Sequence, residues 1–382
     1  MILGIDATNI RTGGGLTHLV QFLEHADPAR SGFLQVVIWA SPDTLAALPC
    51  RDWLRKESTS VTKFTALSHF VWQTLLVSKA ARSHGVSVLF IPGGTYVGGV
   101  RPAVVMCRNM LPFDWNELSR YRISRTTARL ILLRFLHSRS FRRADGVVFL
   151  SRYAKSTVEA ALKGPPRLST IVPHGLSEDF KLKPRKHNPL EHYSWANPMR
   201  VVYVSVIDTY KHQWNVATAV AALRQRGMPL SLDLVGPAYP PSMRRLSSVM
   251  RRLDPEQNWL RYWGKADQDE ILNYYHQADI GVFASSCENL PNIVLELMGA
   301  ALPIASSNRG PMPEVLGAGA EYFDPEETQS IEVALQRLVA SSKRRSSLSR
   351  RNARAAANYA WDRAAHDTLE FLAVVAVQGR RT

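Results

Sequence analysis

Glu288 and Glu296 stand eight positions apart in the stretch 285–310, SSCENLPNIVLELMGAALPIASSNRG. The apolar run 279–284 before it has the length and composition of a buried strand. Residues 285–290 then make a turn, and Pro291 suits the first turn of a helix, where a missing N–H costs nothing. The periodic run 292–301 continues that helix, Pro303 ends it, and residues 302–306 read as the next strand. Glu288 therefore falls in the loop and Glu296 inside the helix. A helix N-terminus offers free N–H groups and the positive end of a dipole, which suits a pyrophosphate. A carboxylate accepts hydrogen bonds in pairs, which suits the vicinal hydroxyls of a sugar or ribose. A loop carrying both can hold a sugar nucleotide at each end. Spacing alone leaves a plainer alternative open, with Glu288 a loop residue and Glu296 a solvated helix residue.

The elements around this stretch set where it can act. Strands are expected at residues 2–6, 35–40, 87–91, 103–107, 146–150 and 170–173, then at 200–206, 230–235 and 260–264, with helical patterns between them. Such alternation argues for parallel sheets, which bind ligands at the carboxyl ends of their strands. Residues 181–198, rich in Lys, Pro, His and Asn without periodicity, read as a linker. The expected organisation is a first domain at 1–180, the linker, a second domain at 199–360, and at 361–382 a helix crossing back onto the first domain with a basic tail. Gly13, Gly14 and Gly15 close the first strand–helix turn. They permit close approach of a phosphate or sugar, or simply a flexible turn, and are not a dinucleotide fingerprint.

The Glu pair, with Pro291 and the Leu-Glu-Leu-Met run at 295–298, followed by Ala305-Ser306, Pro313-Glu314-Val315 and Asp324-Pro325, resembles the donor-site motif of retaining family 4 glycosyltransferases. Asn289-Leu290-Pro291 and Ala301-Leu302 replace glycines common in that family. The resemblance implies the GT-B fold: α/β, two Rossmann-like parallel-sheet domains facing a central cleft, the first on the acceptor side and the second holding the nucleotide-sugar donor. It implies donor contacts from Gly14, Gly15, Lys211, Glu288, Asn289, Leu290, Asn292, Ile293 and Glu296. Lys211 would lie on the diphosphate, and Lys211 and Glu288 would act at the reacting sugar. The family's second diphosphate cation falls at Val206, so Arg309 is a candidate replacement. Where relatives carry a histidine on the donor sugar, Arg108-Asn109 would face the cleft. His174 reads as a turn residue.

The resemblance further implies transfer of a hexose, with retention of configuration, from a nucleotide sugar to a hydroxyl of a saccharide acceptor. A lipid-linked acceptor in surface polysaccharide or lipopolysaccharide O-antigen synthesis is the setting. GDP-mannose, UDP-sugars and dTDP-sugars are the donors to test. No cofactor and no metal is expected, because Asp267 and Asp269 open a helical run and read as its cap and first-turn acid. The alternatives are a sugar-nucleotide epimerase or hydrolase on the same fold, or a basic nucleic-acid-binding protein. Neither RNP-like aromatics nor zinc spacing supports the last, so no nucleic-acid partner is expected.

The 382 residues carry a net charge of +15 and a pI near 10, which calls for an anionic partner. Between positions 120 and 143 lie eight arginines and no acid, interleaved with Tyr121, Ile123, Leu130, Ile131, Leu133, Phe135 and Phe141. Without Pro or Gly the stretch reads as one helix. The plainer alternative is a core-facing helix of the first domain with a solvated basic face. Arginine-rich helices with apolar partners also bind anionic membrane surfaces, and on that reading Arg122, Arg125 and Arg129 are expected to face one. The expected place is the cytoplasm, peripherally at the inner face of the cytoplasmic membrane. Three scattered cysteines give no disulfide framework, residues 1–8 read as a strand rather than a signal, and no run of about 18 apolar residues occurs.

Overall fold

The computed structural model describes residues 1–59 and 66–379 and divides the chain into two compact units, Met1–Gly175 with Ala360–Thr382, and Leu176–Tyr359. The basic tail at 380–382 lies outside the described residues.

The first unit is built on seven parallel strands: β1 (Ile2–Asp6), β2 (Gln35–Ala40), β3 (Leu54–Ser58), β4 (Val88–Ile91), β5 (Ala103–Met106), β6 (Gly146–Phe149) and β7 (Ser169–Ile171). Their order is β3-β2-β1-β4-β5-β6-β7. The order reverses between β1 and β4, so the carboxyl ends of those two strands flank a crevice suited to ligands. β4, β5 and β6 are buried throughout, as expected for a sheet covered on both faces. The helix Trp361–Gly379 covers β4, β5 and β6 beside the helix Gly14–His25.

The second unit has six parallel strands: β8 (Met199–Val204), β9 (Leu230–Val235), β10 (Leu260–Tyr262), β11 (Ile280–Phe283), β12 (Ile304–Ser307) and β13 (Ala320–Phe323). Their order is β10-β9-β8-β11-β12-β13, with the reversal between β8 and β11. The helix Asn292–Gly299 follows β11 and lies close on it: a Cβ on Gly281 would sit 2.8 Å from Leu297 Cδ2 and push that side chain aside.

Three expectations change. The stretch 120–143 is two helices, Trp115–Arg120 and Arg125–Arg143, not one. Arg122 takes φ 52° between them, Asp114 caps the first, and Ser124 caps the second by accepting from the Thr127 N–H. The left-handed backbone at Arg122 and the Ser124 cap stop and restart the helix without Pro or Gly. Residues 181–198 pack on the second unit: Arg185 donates to the carbonyls of His276 and Ala278, Tyr193 to Asp279 at 2.8 Å, and buried Arg345 donates to the Asn188 carbonyl. Backbone and side-chain hydrogen bonds, not apolar periodicity, hold this strap. The helix expected to reach residue 301 ends at Gly299, and Ala301 turns out of it with φ 52°. Two strands that periodicity does not announce, β3 and β13, lie at sheet edges. LRKES is charged because an edge strand is covered on fewer sides.

Candidate active site

In the second unit, the loop after β8 and the loop after β11 leave neighbouring strand ends at the order reversal. They are stitched together. Ser286 donates both its N–H, at 2.8 Å, and its hydroxyl, at 3.2 Å, to the Tyr210 carbonyl. His212, at φ 50°, brings Nε2 to 2.9 Å from the Ser286 hydroxyl, and the Tyr203 hydroxyl donates to the Lys211 carbonyl at 2.7 Å. This frame puts Lys211 against Glu288, and the two form an ion pair. Lys211 is 6% exposed, and its ammonium also lies 5.0 Å from the Tyr210 ring centroid and 4.9 Å from that of Phe283.

Glu296 sits one helical turn into Asn292–Gly299, with Oε2 accepting a 3.0 Å bond from the Tyr275 hydroxyl. Burial pushes its pKa up to about 7, and the Tyr275 bond opposes that rise. Asn289 and Leu290 are buried in the preceding loop, and Asn292 Oδ1 is buried with no hydrogen-bond partner among the described residues. Ile293 is half-buried beside it. Gly310 approaches the same loop, its Cβ position 3.7 Å from the Glu288 N. Its neighbour Arg309 is tied to Asp324 by an ion pair and so does not stand as a free cation.

Asp267 and Glu270 form a capping box at the start of Gln268–Gln277, each side chain accepting from the other's backbone N–H at 2.9 Å. Asp269 lies in the first turn of that helix. The cap signal is legible from the spacing.

In the first unit, Gly13 takes φ 66° ahead of the helix Gly14–His25. Arg108, beyond β5, reaches under this turn and donates to the Gly14 carbonyl at 2.6 Å, while its Nη1 is buried without a partner among the described residues. Burial lowers its pKa to about 10. Asn109 is used locally, its Oδ1 accepting from the Leu111 N–H at 3.1 Å. His174 is more than a turn residue: its Nδ1 is 3.0 Å from the Nδ1 of His18, and Trp361 packs on both rings. Burial keeps both histidines neutral, His174 with a pKa near 3, so one ring donates to the other. His18, His212, Ser286 and Tyr275 carry no local sequence signal, because each acquires its partner through tertiary contact.

Arg122, Arg125 and Arg129 are exposed, and none makes an ion pair among the described residues. Leu118, Leu130 and Phe141 turn into the core, but Ile123, Leu132 and Phe135 are 106%, 57% and 65% exposed. Arg134 is absorbed locally, stacked 4.4 Å over Trp115 and bonded to the Pro112 carbonyl.

Two Rossmann-like parallel sheets, one in each unit, are the GT-B class of fold, as in the solved structures this chain resembles. Residues 191–355 match the family described as Glycosyl transferases group 1. The chain is similar to O-antigen chain mannosyltransferase B of Escherichia coli, 24% identical over 113 residues, or 30% of each chain. The match thus spans less than a third of that relative. Among solved structures it is similar to sucrose-phosphate synthase from Thermosynechococcus elongatus, with TM-score 0.72 and 15% identity over 96% of this chain and 97% of that one. It is also similar to WaaG, a glycosyltransferase involved in lipopolysaccharide biosynthesis, with TM-score 0.70 and 13% identity over 97% and 99%. Anabaena HepE in complex with UDP and glucose gives TM-score 0.70 and 17% identity over 98% and 100%. At these identities the likeness is one of fold.

Proposed function

We propose that this protein is a retaining glycosyltransferase that moves a hexose from a nucleotide sugar to a hydroxyl of a saccharide acceptor. The observation that carries the reading is the Lys211–Glu288 pair, with Glu296 one helix further on, at the strand-order reversal of a group 1 domain. The donor diphosphate takes Lys211 and the N–H groups at the start of Asn292–Gly299. Glu288, released from Lys211, accepts from hydroxyls of the transferred sugar, and Glu296 accepts from those of the ribose. As the bond from the anomeric carbon to phosphate breaks, the bond to the acceptor oxygen forms on the same face. The leaving phosphate oxygen takes the acceptor proton, so the nucleoside diphosphate departs with it. Stabilisation of the departing charge and positioning supply the rate. Lys211 does this without an obligatory metal.

Likeness to an O-antigen mannosyltransferase supports a surface-polysaccharide or O-antigen setting and makes GDP-mannose the first donor to try, ahead of UDP- and dTDP-sugars. A lipid-linked acceptor fits the exposed arginines and apolar side chains of residues 122–135, which would seat the first unit on an anionic leaflet. No described helix is long and apolar enough to cross a membrane. The test is a thermal-shift screen of GDP-, UDP- and dTDP-sugars, followed by product analysis of transfer with the donor that binds. A stabilising donor and an α-linked product from an α-linked donor are expected. No shift with any nucleotide sugar, together with salt-sensitive binding to random DNA, would overturn the reading in favour of a nucleic-acid protein.

A further inference from the structure

Tyr275 is fully buried near the end of Gln268–Gln277, and a buried hydroxyl needs a partner. It has one in Glu296, to which it donates at 3.0 Å. Its ring meets Phe180 edge-on, with centroids 6.0 Å apart. Phe180 belongs to the turn Glu178–Phe180, which packs on the helix carrying Glu296: a Cβ on Gly299 would meet Leu176 at 2.4 Å and the Phe180 carbonyl at 2.8 Å. The Leu182 N–H closes this contact on the Gly299 carbonyl at 2.8 Å. Tyr275 is therefore clamped on both sides, and its hydroxyl is a fixed point.

We propose that Tyr275 is a positioning residue for the nucleotide: its hydroxyl holds the Glu296 side chain in one rotamer, leaving the second carboxylate oxygen to accept from the vicinal ribose hydroxyls. This rests on the reading of Glu296 as the ribose group. A glutamate on a helix ordinarily samples several rotamers, and fixing one before the ligand arrives removes that ordering cost from binding. The same bond favours the ionised carboxylate, the form that accepts from two hydroxyls.

The charged groups on the elements packed against this helix are engaged elsewhere or face solvent. Glu178 pairs with Lys181, Asp179 accepts from Ser177 and Gln268, Arg345 bonds backbone carbonyls, and Arg350, Arg351 and Arg354 are exposed. Burial and the Tyr275 hydroxyl are what act on Glu296.

Tyr275→Phe keeps the ring and removes the hydroxyl. In the ligand-free protein, the Glu296 carboxyl carbon, assigned by its loss in Glu296→Gln, is followed by carbon-13 NMR against pH. Its midpoint should rise by about one pH unit in Tyr275→Phe, because a hydrogen bond to the charged form is gone. At pH 8.5 or above, affinity for whichever of GDP, UDP and dTDP binds the wild type should fall roughly tenfold. KM for the donor should rise with kcat little changed. In the Glu296→Gln background the same substitution should add no further loss. An unchanged midpoint and an unchanged nucleotide affinity, with only a lower Tm, would overturn the proposal and leave Tyr275 as packing. If Tyr275→Phe does not fold, 3-fluorotyrosine at position 275, a stronger donor on the same ring, should lower the Glu296 midpoint, and an unmoved midpoint would overturn the proposal. Wild-type nucleotide affinity in Glu296→Gln would sink the ribose reading instead. The titration would then still decide whether Tyr275 holds the carboxylate.

Discussion

Lys211 and Glu288 form an ion pair across 77 positions of sequence, with their side chains 7% and 15% exposed. Each is the other's counter-ion when no diphosphate is present. A buried cation without a partner is costly, so the pair keeps the site charged and ready without a net charge of its own. Under the proposed function, donor binding would exchange partners, phosphate for Glu288 on Lys211 and sugar hydroxyl for Lys211 on Glu288.

This exchange predicts unequal effects of substitution. Lys211→Ala leaves Glu288 buried and uncompensated, and breaking such a pair costs about 3–5 kcal/mol. Its Tm should drop well below that of the double substitution Lys211→Met/Glu288→Gln, which removes both charges. All variants should lose donor turnover by tenfold or more, since a hydrogen bond to a charged group is worth about 1.5–3 kcal/mol. Wild-type turnover in a folded Glu288→Gln would remove Glu288 from the reaction.

As the proposed ribose group, Glu296 would tie nucleotide binding to pH. Its pKa is about 7 in the folded chain, above roughly 4.3 for an unfolded glutamate. The folded state therefore holds the extra proton between these values. Stability from this group is full below about pH 4.3 and is lost as pH rises through 7. Nucleotide affinity should move the opposite way, rising from pH 6 to pH 8 as the carboxylate ionises. Calorimetry of nucleotide binding across that range, with Glu296→Gln as the control that flattens both trends, checks it.

Chelation separates the cap reading of Asp267 and Asp269 from a metal site. With the box to Glu270 occupying Asp267, transfer should persist in EDTA. Complete loss of activity, restored by Mg²⁺ or Mn²⁺, would contradict this.

The exposed face at residues 122–135 should bind vesicles containing anionic lipid, and less so at high salt. Near such a surface each basic residue contributes about 1 kcal/mol, so reversing Arg122, Arg125 and Arg129 to Glu should abolish co-flotation. Phe135→Ser should weaken it without changing its salt dependence. Flotation that survives the charge reversal would place any membrane contact elsewhere.

Sequence alone determined the repeating strand–loop–helix pattern, the central strands, the loop after β11 and the acid spacing across that loop and the helix it opens. These are local properties: a strand covered on both faces must be an apolar run, and Pro291 and Pro303 bound the stretch that holds the helix. It also carried the capping signals, although Asp114 and Ser124 are easily missed around the arginine-rich stretch, where the absence of Pro and Gly suggests continuity. Tertiary structure alone decided which loops meet. Lys211 reaches Glu288 because β8 and β11 are neighbours at the order reversal, although two strands, β9 and β10, intervene in the chain. Tyr275 reaches Glu296, and His18 reaches His174, for the same reason: a partner is set by crossover order and packing, whereas periodicity records only which face of each element is covered.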